Sequence, residues 1–116
     1  TFCELAGAEI PAGLDGISFL PSLLGKEQKS HQYLYWEFFE GGGKRAVRMG
    51  KWKAVQTQLN KKGPEAPVEL YDLSVDAGER RNLAAQSPEL ISRALAIFKE
   101  AHTPSPIWRF RWELQK

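Results

Sequence analysis

The chain has 116 residues, 42% apolar and 26% charged, the make-up of one small globular domain or of a segment of a larger one. Sixteen basic residues against fourteen acidic leave a net charge of +2, too weak a field to argue for nucleic acid or an anionic membrane as partner. The single cysteine, Cys3, excludes an intramolecular disulfide framework and a multi-cysteine zinc site, and no run of about 18 apolar residues is present to span a membrane.

Thr1 to Gly7 has the apolar spacing of a helix end with Gly7 as its cap, so the chain opens inside a helical stretch, as a segment of a longer polypeptide would. A basic region followed by an apolar one, the pattern of a signal peptide, is not found there. A loop with Pro11, Gly13 and Gly16 follows, then a short helix that Pro21 starts and Gly25 ends. Gln32 to Phe39 (QYLYWEFF) is dense in the aromatics that a pleated, partly buried surface favours. Gly41-Gly42-Gly43 permits a hairpin, Lys44 to Met49 returns as a second strand, and Gly50-Lys51 turns into a third over Trp52 to Gln58. Asn60 to Pro64 reads as a loop, and Val68 to Leu73 (VELYDL) as a fourth strand. Ser87-Pro88-Glu89 starts a helix with a hydroxyl cap, a first-turn proline and an acid at the positive end. Leu90, Ile91, Ala94, Leu95, Phe98 and Ala101 then recur on one face, until Pro104 and Pro106 stop it.

The pattern predicts an α+β fold: a four-stranded antiparallel sheet over residues 32–73 with one C-terminal helix, 87–102, packed across it, and a terminal arm, 103–116. Residues 1–29 read as the end of a preceding domain with its linker, and 30–116 as a subdomain.

Four stretches, in order along the chain, resemble the sulfatase family. Thr1 to Gly7 is similar to the tail of the family's P-T-x-x-x-L-A-G helix, and Asp15 to Gly25 (DGISFLPSLLG) to its D-G-x-S-L-x-P-x-L-x-G segment. Arg45 to Lys53 (RAVRMGKWK) resembles a basic hairpin that turns at glycine. Glu69 to Leu73 (ELYDL), with Asp76, Glu79, Asn82 and Leu83, resembles the pattern near sulfatase C-termini. Ala77-Gly78 departs from it, because the family usually places proline after the aspartate. The resemblance implies the C-terminal subdomain of an arylsulfatase-like sulfuric-ester hydrolase, a fragment of a larger alkaline-phosphatase-like fold. It also implies calcium and a formylglycine residue in the parent, an N-terminal catalytic domain of the same polypeptide as partner, a sulfated carbohydrate or aryl sulfate as substrate, and export as the localisation. The corresponding subdomain of a related phosphodiesterase or phosphonate hydrolase is an alternative, and so is a freestanding polyanion- or carbohydrate-binding module.

Read residue by residue, the chain supplies no catalytic or metal-binding set. Formylglycine is made from Cys or Ser in C/S-x-P-S/A-x-R, whereas Cys3 is followed by Glu4-Leu5-Ala6-Gly7, the context of a buried helix thiol. Asp72 and Asp76 lack the spacing of a calcium loop, and Asp76, Glu79 and Asn82 suit turn and cap hydrogen bonds. His31 and His102 are 71 positions apart with no H-E-x-x-H between them, and no G-K-[ST] follows the triple glycine. One wall of a substrate pocket is conceivable on or near the hairpin, where His31, Trp36, Glu37, Glu40, Lys44, Arg45 and Arg48 offer an aromatic face and charged groups for a sulfated sugar. Among them Glu40, Lys44 and Arg45 flank a glycine-rich tip free to approach a neighbouring surface. Ile107 to Trp112 interleaves cations with aromatics, as an arm docked on a catalytic domain would. Without that domain, the apolar residues of 1–24 and the arm should be mobile or pack on a second copy of the chain.

Overall fold

Strands that alternate apolar and polar residues must cover one face, and the helix near the C-terminus does so here. The computed structural model describes residues 1–115 and divides the chain into two units, Thr1–Gln32 and Tyr33–Lys116. In the second unit β1 (Leu34–Phe38), β2 (Lys44–Met49), β3 (Trp52–Thr57) and β4 (Val68–Asp72) form one antiparallel meander in the order β1-β2-β3-β4. The register aligns Tyr35, Val47, Ala54 and Leu70 in one row across the sheet. Val47, Ala54 and Leu70 are sealed from solvent there, under Ala94, Ile97 and Phe98 of the helix Pro88–Glu100. The expected sheet and crossing helix are therefore present.

Helical periodicity decides which helix residues reach the sheet. Ala94, Ile97 and Phe98 share the buried stripe, so Ile97 belongs to it, while Leu95, expected on that face, is 41% exposed at its border. Pro88 opens the helix as expected, but the Ser87 hydroxyl makes no capping bond. At φ −139°, ψ 60° the serine is off the extended backbone of a capping residue, because a 3-10 turn over Ala84–Gln86 runs directly into it.

The ELYDL stretch does structural work. Leu70 is core, Tyr71 is buried, and Asp72 accepts from the Ser74 amide while pairing with Lys51 at 2.8 Å. Asp76 accepts from the amides of Arg80 and Arg81, and Asn82 Oδ1 from those of Leu70 and Ala84. The Asp76 bonds and the Asn82–Ala84 bond are of the turn kind anticipated, whereas the Glu79 side chain, expected to make one too, pairs with Lys53.

Two expectations in this unit need correction. The 60–64 segment is not simply a loop: Leu59–Lys62 forms one helical turn, because Leu59 is fully buried and Gly63 (φ 71°) closes the turn behind it. The terminal arm is not left without a surface either. Phe110 is fully buried in a second cluster with Leu59 and Ala66, stacked on Trp112 at 4.3 Å and against Phe39 at 4.5 Å. Its apolar ring found cover within the unit, while Ile107 and Trp108 remain exposed.

The first unit has a different character. A short helix, Phe2–Ala6, ends at Gly7 in the left-handed conformation, and a second, Leu20–Leu23, follows the loop. Thr1 Oγ1 accepts from the Phe19 amide, and Gln28 bonds both Ser22 and the Ser18 carbonyl. No residue of Thr1–Gln32 is buried, and Phe2, Leu5, Leu14, Phe19, Leu23 and Leu24 are all more than half exposed. Cys3 is correspondingly only half-buried, not the buried thiol expected.

Candidate functional site

Because side chains on a strand alternate between faces, one strand delivers neighbouring residues to opposite environments. Tyr35 and Glu37 of β1 point toward the helix, while Leu34, Trp36 and Phe38 point away and stay 37–53% exposed. On β2 the same alternation sends Arg45 inward and Arg48 outward. The six expected hairpin residues of the second unit are thus not brought together as one set.

Trp36 and Arg48 are brought together. They line a depression of about 600 Å³ on the uncovered face, with Ala46 and Lys53 as floor and Leu73, Ala77 and Glu79 as its far side. Trp36 pairs with Ala46 and stays half exposed. Arg48 pairs directly with Lys53 across β2 and β3. Like charges in that relation repel, and Glu79 neutralises Lys53 alone, Nζ to Oε1 at 2.5 Å. Arg48 donates from Nε to the Gly50 carbonyl at 3.0 Å and makes no ion pair among the described residues. The depression therefore presents an aromatic surface beside an uncompensated guanidinium, a combination suited to a sugar ring carrying an anionic group.

Lys53 and Glu79 are not among the site residues expected from the sequence, Glu79 having been read as a turn and cap residue. The signal for Lys53 was available: counting back through the Gly50-Lys51 turn sets it opposite Arg48.

The other candidates lie elsewhere. Arg45 is nearly buried, donating to Gln56 at 2.6 Å and to the Pro64 carbonyl at 3.3 Å, with its guanidinium 4.6 Å above the Phe98 ring. Glu37 is bonded to Tyr35 and to His102 on the same covered face. His31 is exposed in the first unit. Lys44 is exposed at the start of β2, and Glu40 borders a second depression with Gly41, Gly42, Lys61 and Arg111.

The hairpin base is pinned rather than free. Gly43 has φ 74°, and a Cβ there would lie 3.1 Å from Asn60, whose side chain bonds the Phe39 carbonyl and the Arg111 amide.

Comparison with known proteins identifies the family. The family model described as N-sulphoglucosamine sulphohydrolase, C-terminal, matches residues 1–97. A Δ4,5-hexuronate-2-O-sulfatase of Bacteroides thetaiotaomicron is 41% identical over 91 residues, which cover 72% of this chain and 18% of that protein. A crystallised protein of the same organism, described as a candidate sulfatase, superposes with a TM-score of 0.72 at 33% identity, over 86% of this chain and 22% of the other. The phosphonate monoester hydrolase of Agrobacterium radiobacter matches at a TM-score of 0.53 and 24% identity, over 87% of this chain and 22% of the other, a likeness of fold alone. The chain thus spans about a fifth of the length of these relatives. Since the family model covers the first unit, the whole sheet and most of the packed helix, the chain belongs to the sulfatase family, as its C-terminal region.

Proposed function

We propose that this chain serves as the C-terminal portion of a sulfuric-ester hydrolase and that the Trp36–Arg48 depression forms one wall of its substrate pocket. The observation that carries the reading is the uncovered sheet face, where an aromatic edge and a guanidinium with no ion pair among the described residues share one depression in a chain of this family. An anionic sulfate would be held by Arg48, through charge-assisted hydrogen bonds of a kind worth about 1.5–3 kcal/mol. Trp36 would support the sugar ring. The substrate class proposed is a sulfated carbohydrate, in line with the hexuronate sulfatase it resembles.

The reaction itself would need residues beyond this set. Among the described residues no three of His, Cys, Asp or Glu are arranged to hold a metal ion, so these side chains do not fit a calcium site. Cys3 lacks the proline and arginine of the formylglycine motif. Calcium and formylglycine, if the parent uses them as the family does, belong to its N-terminal catalytic domain.

Two measurements test this. The coding frame upstream of Thr1 should encode C/S-x-P-S/A-x-R and an Asp-rich metal site; a frame opening directly before Thr1 overturns the hydrolase reading. In the enzyme carrying this region, Arg48→Ala and Trp36→Ala should each lower kcat/KM on a sulfated oligosaccharide about tenfold or more, mostly through KM. Unchanged kcat/KM in both variants overturns the pocket wall.

A further inference from the structure

The covered face of the sheet ends in a polar cluster that neither the core nor the proposed pocket uses. His102, just past the helix Pro88–Glu100, has Nδ1 2.5 Å from Glu37 Oε1 and Nε2 2.8 Å from Glu113 Oε1. Glu37 lies on β1, and Glu113 on the 3-10 turn Arg111–Gln115 that closes the arm. All three side chains are largely withdrawn from solvent, at 20% exposure for His102, 14% for Glu37 and 18% for Glu113. With both carboxylates ionised and so able only to accept, the arrangement calls for both ring nitrogens to donate, as the imidazolium does. Glu37 also accepts from the Tyr35 hydroxyl, and Glu113 Oε2 accepts from the Phe110 amide at 2.7 Å.

We infer that His102 is a proton-operated latch: doubly protonated, it fastens the Arg111–Gln115 turn to the edge strand β1, and loss of one ring proton loosens that turn while Phe110 stays seated.

A neutral imidazole has one N–H and can serve only one of the two carboxylates. The other carboxylate then faces a lone pair, in a site with two negative charges and one positive charge fewer. Charged and titratable groups come from every element around the ring: Tyr35 and Glu37 from β1, Arg45 from β2, Glu65 from the connection before β4, Lys99 from the helix, and Glu113 from the arm. Arg45, held below its ordinary range chiefly by burial, remains cationic and helps to balance Glu37. For His102 itself, burial opposes the charge, yet the hydrogen bonds and charges of Glu37 and Glu113 outweigh it and raise the ring above its usual value. The folded form therefore holds its proton more tightly than the unfolded chain does. The latch's contribution is complete below about pH 6.5, the unperturbed histidine value, and fades as pH rises through the higher folded value.

The test uses ring 15N shifts of His102 and amide exchange of the 116-residue chain from pH 5 to 9. Exchange is expressed as protection factors so that intrinsic base catalysis is removed. The ring should be doubly protonated at pH 6 and titrate above the ordinary histidine range. Protection of the Phe110 and Glu113 amides should fall several-fold through the same transition, because the folded form holds the ring proton more tightly than the unfolded chain. Glu113→Gln should lower the His102 titration and reduce protection at pH 6 by a similar factor. His102→Gln should leave protection independent of pH; if that variant does not fold, Glu113→Gln carries the test alone. A neutral ring at pH 6, or arm protection indifferent to the His102 transition, overturns the latch.

Discussion

The two faces of this sheet are made by the same four strands and differ in almost every physical respect. On the covered face, Val47, Ala54 and Leu70 are sealed beneath Phe98, and every polar group that enters is answered: Arg45 by Gln56 and Pro64, Glu37 by Tyr35 and His102. On the uncovered face Trp36 and Phe38 are half exposed, and Arg48 stands opposite Lys53 with only the lysine neutralised. One face spends its residues on holding the fold. The other tolerates exposed aromatic surface and a cation with no ion pair among the described residues, conditions that folding alone would not favour. That asymmetry is why the proposed pocket wall is assigned to the open face.

The comparison breaks most readily at Phe98. Its ring is fully buried, packs on Tyr35 at a centroid distance of 6.1 Å and carries the Arg45 guanidinium on its face. Phe98→Ala removes the centre of the main core and should cost about 3–5 kcal/mol. Urea unfolding followed by tryptophan fluorescence measures it. A loss below about 1 kcal/mol would mean that the covered face does not hold the sheet.

Gln56 probes the polar side of the same face and should have a smaller effect. Its amide nitrogen donates to the Pro64 and Ala66 carbonyls, and its oxygen accepts from Arg45 at 2.6 Å, all with the side chain fully buried. Gln56→Ala leaves the Ala66 carbonyl and Arg45 Nε without these bonds, while the Pro64 carbonyl keeps the Arg45 guanidinium, and should cost about 1–3 kcal/mol, read in the same denaturation experiment. If Gln56→Leu restores much of the loss, packing dominates; if it does not, the hydrogen bonds do.

This inner polar niche also marks where sequence reasoning stops. The strands and helix were legible because their signals are local: aromatic and β-branched runs, glycine turns, and proline after serine at the start of the helix. RAVR gives no sign of which arginine turns inward. Both are typical surface residues, and Arg45 is accepted inside only because Gln56, 11 positions on, and Pro64, 19 positions on, meet it there. The His102 cluster is less legible still, since Glu37 lies 65 residues before it and no spacing rule joins them. The arm's seat was not legible for a similar reason: Leu59 and Ala66, which receive Phe110, lie 51 and 44 positions before it. Arg48 and Lys53 were the opposite case. Strand alternation through a two-residue turn would have paired them, so the open site was nearer to being readable than the closed one.

The smallest expected effect on stability separates the two faces most sharply. Arg48 is exposed, and its only side-chain bond among the described residues is Nε to the Gly50 carbonyl. Arg48→Ala also relieves repulsion against Lys53, which offsets the lost bond, so folding stability should change by no more than about 0.5 kcal/mol. The same substitution is the one expected to lower kcat/KM on a sulfated oligosaccharide about tenfold, an effect of about 1.4 kcal/mol on transition-state binding. A residue that costs more in catalysis than in folding is held for what it binds. Were denaturation instead to show a loss of 2 kcal/mol or more, the arginine would be a structural element of the sheet, and the distinction between the faces would rest on Trp36 alone.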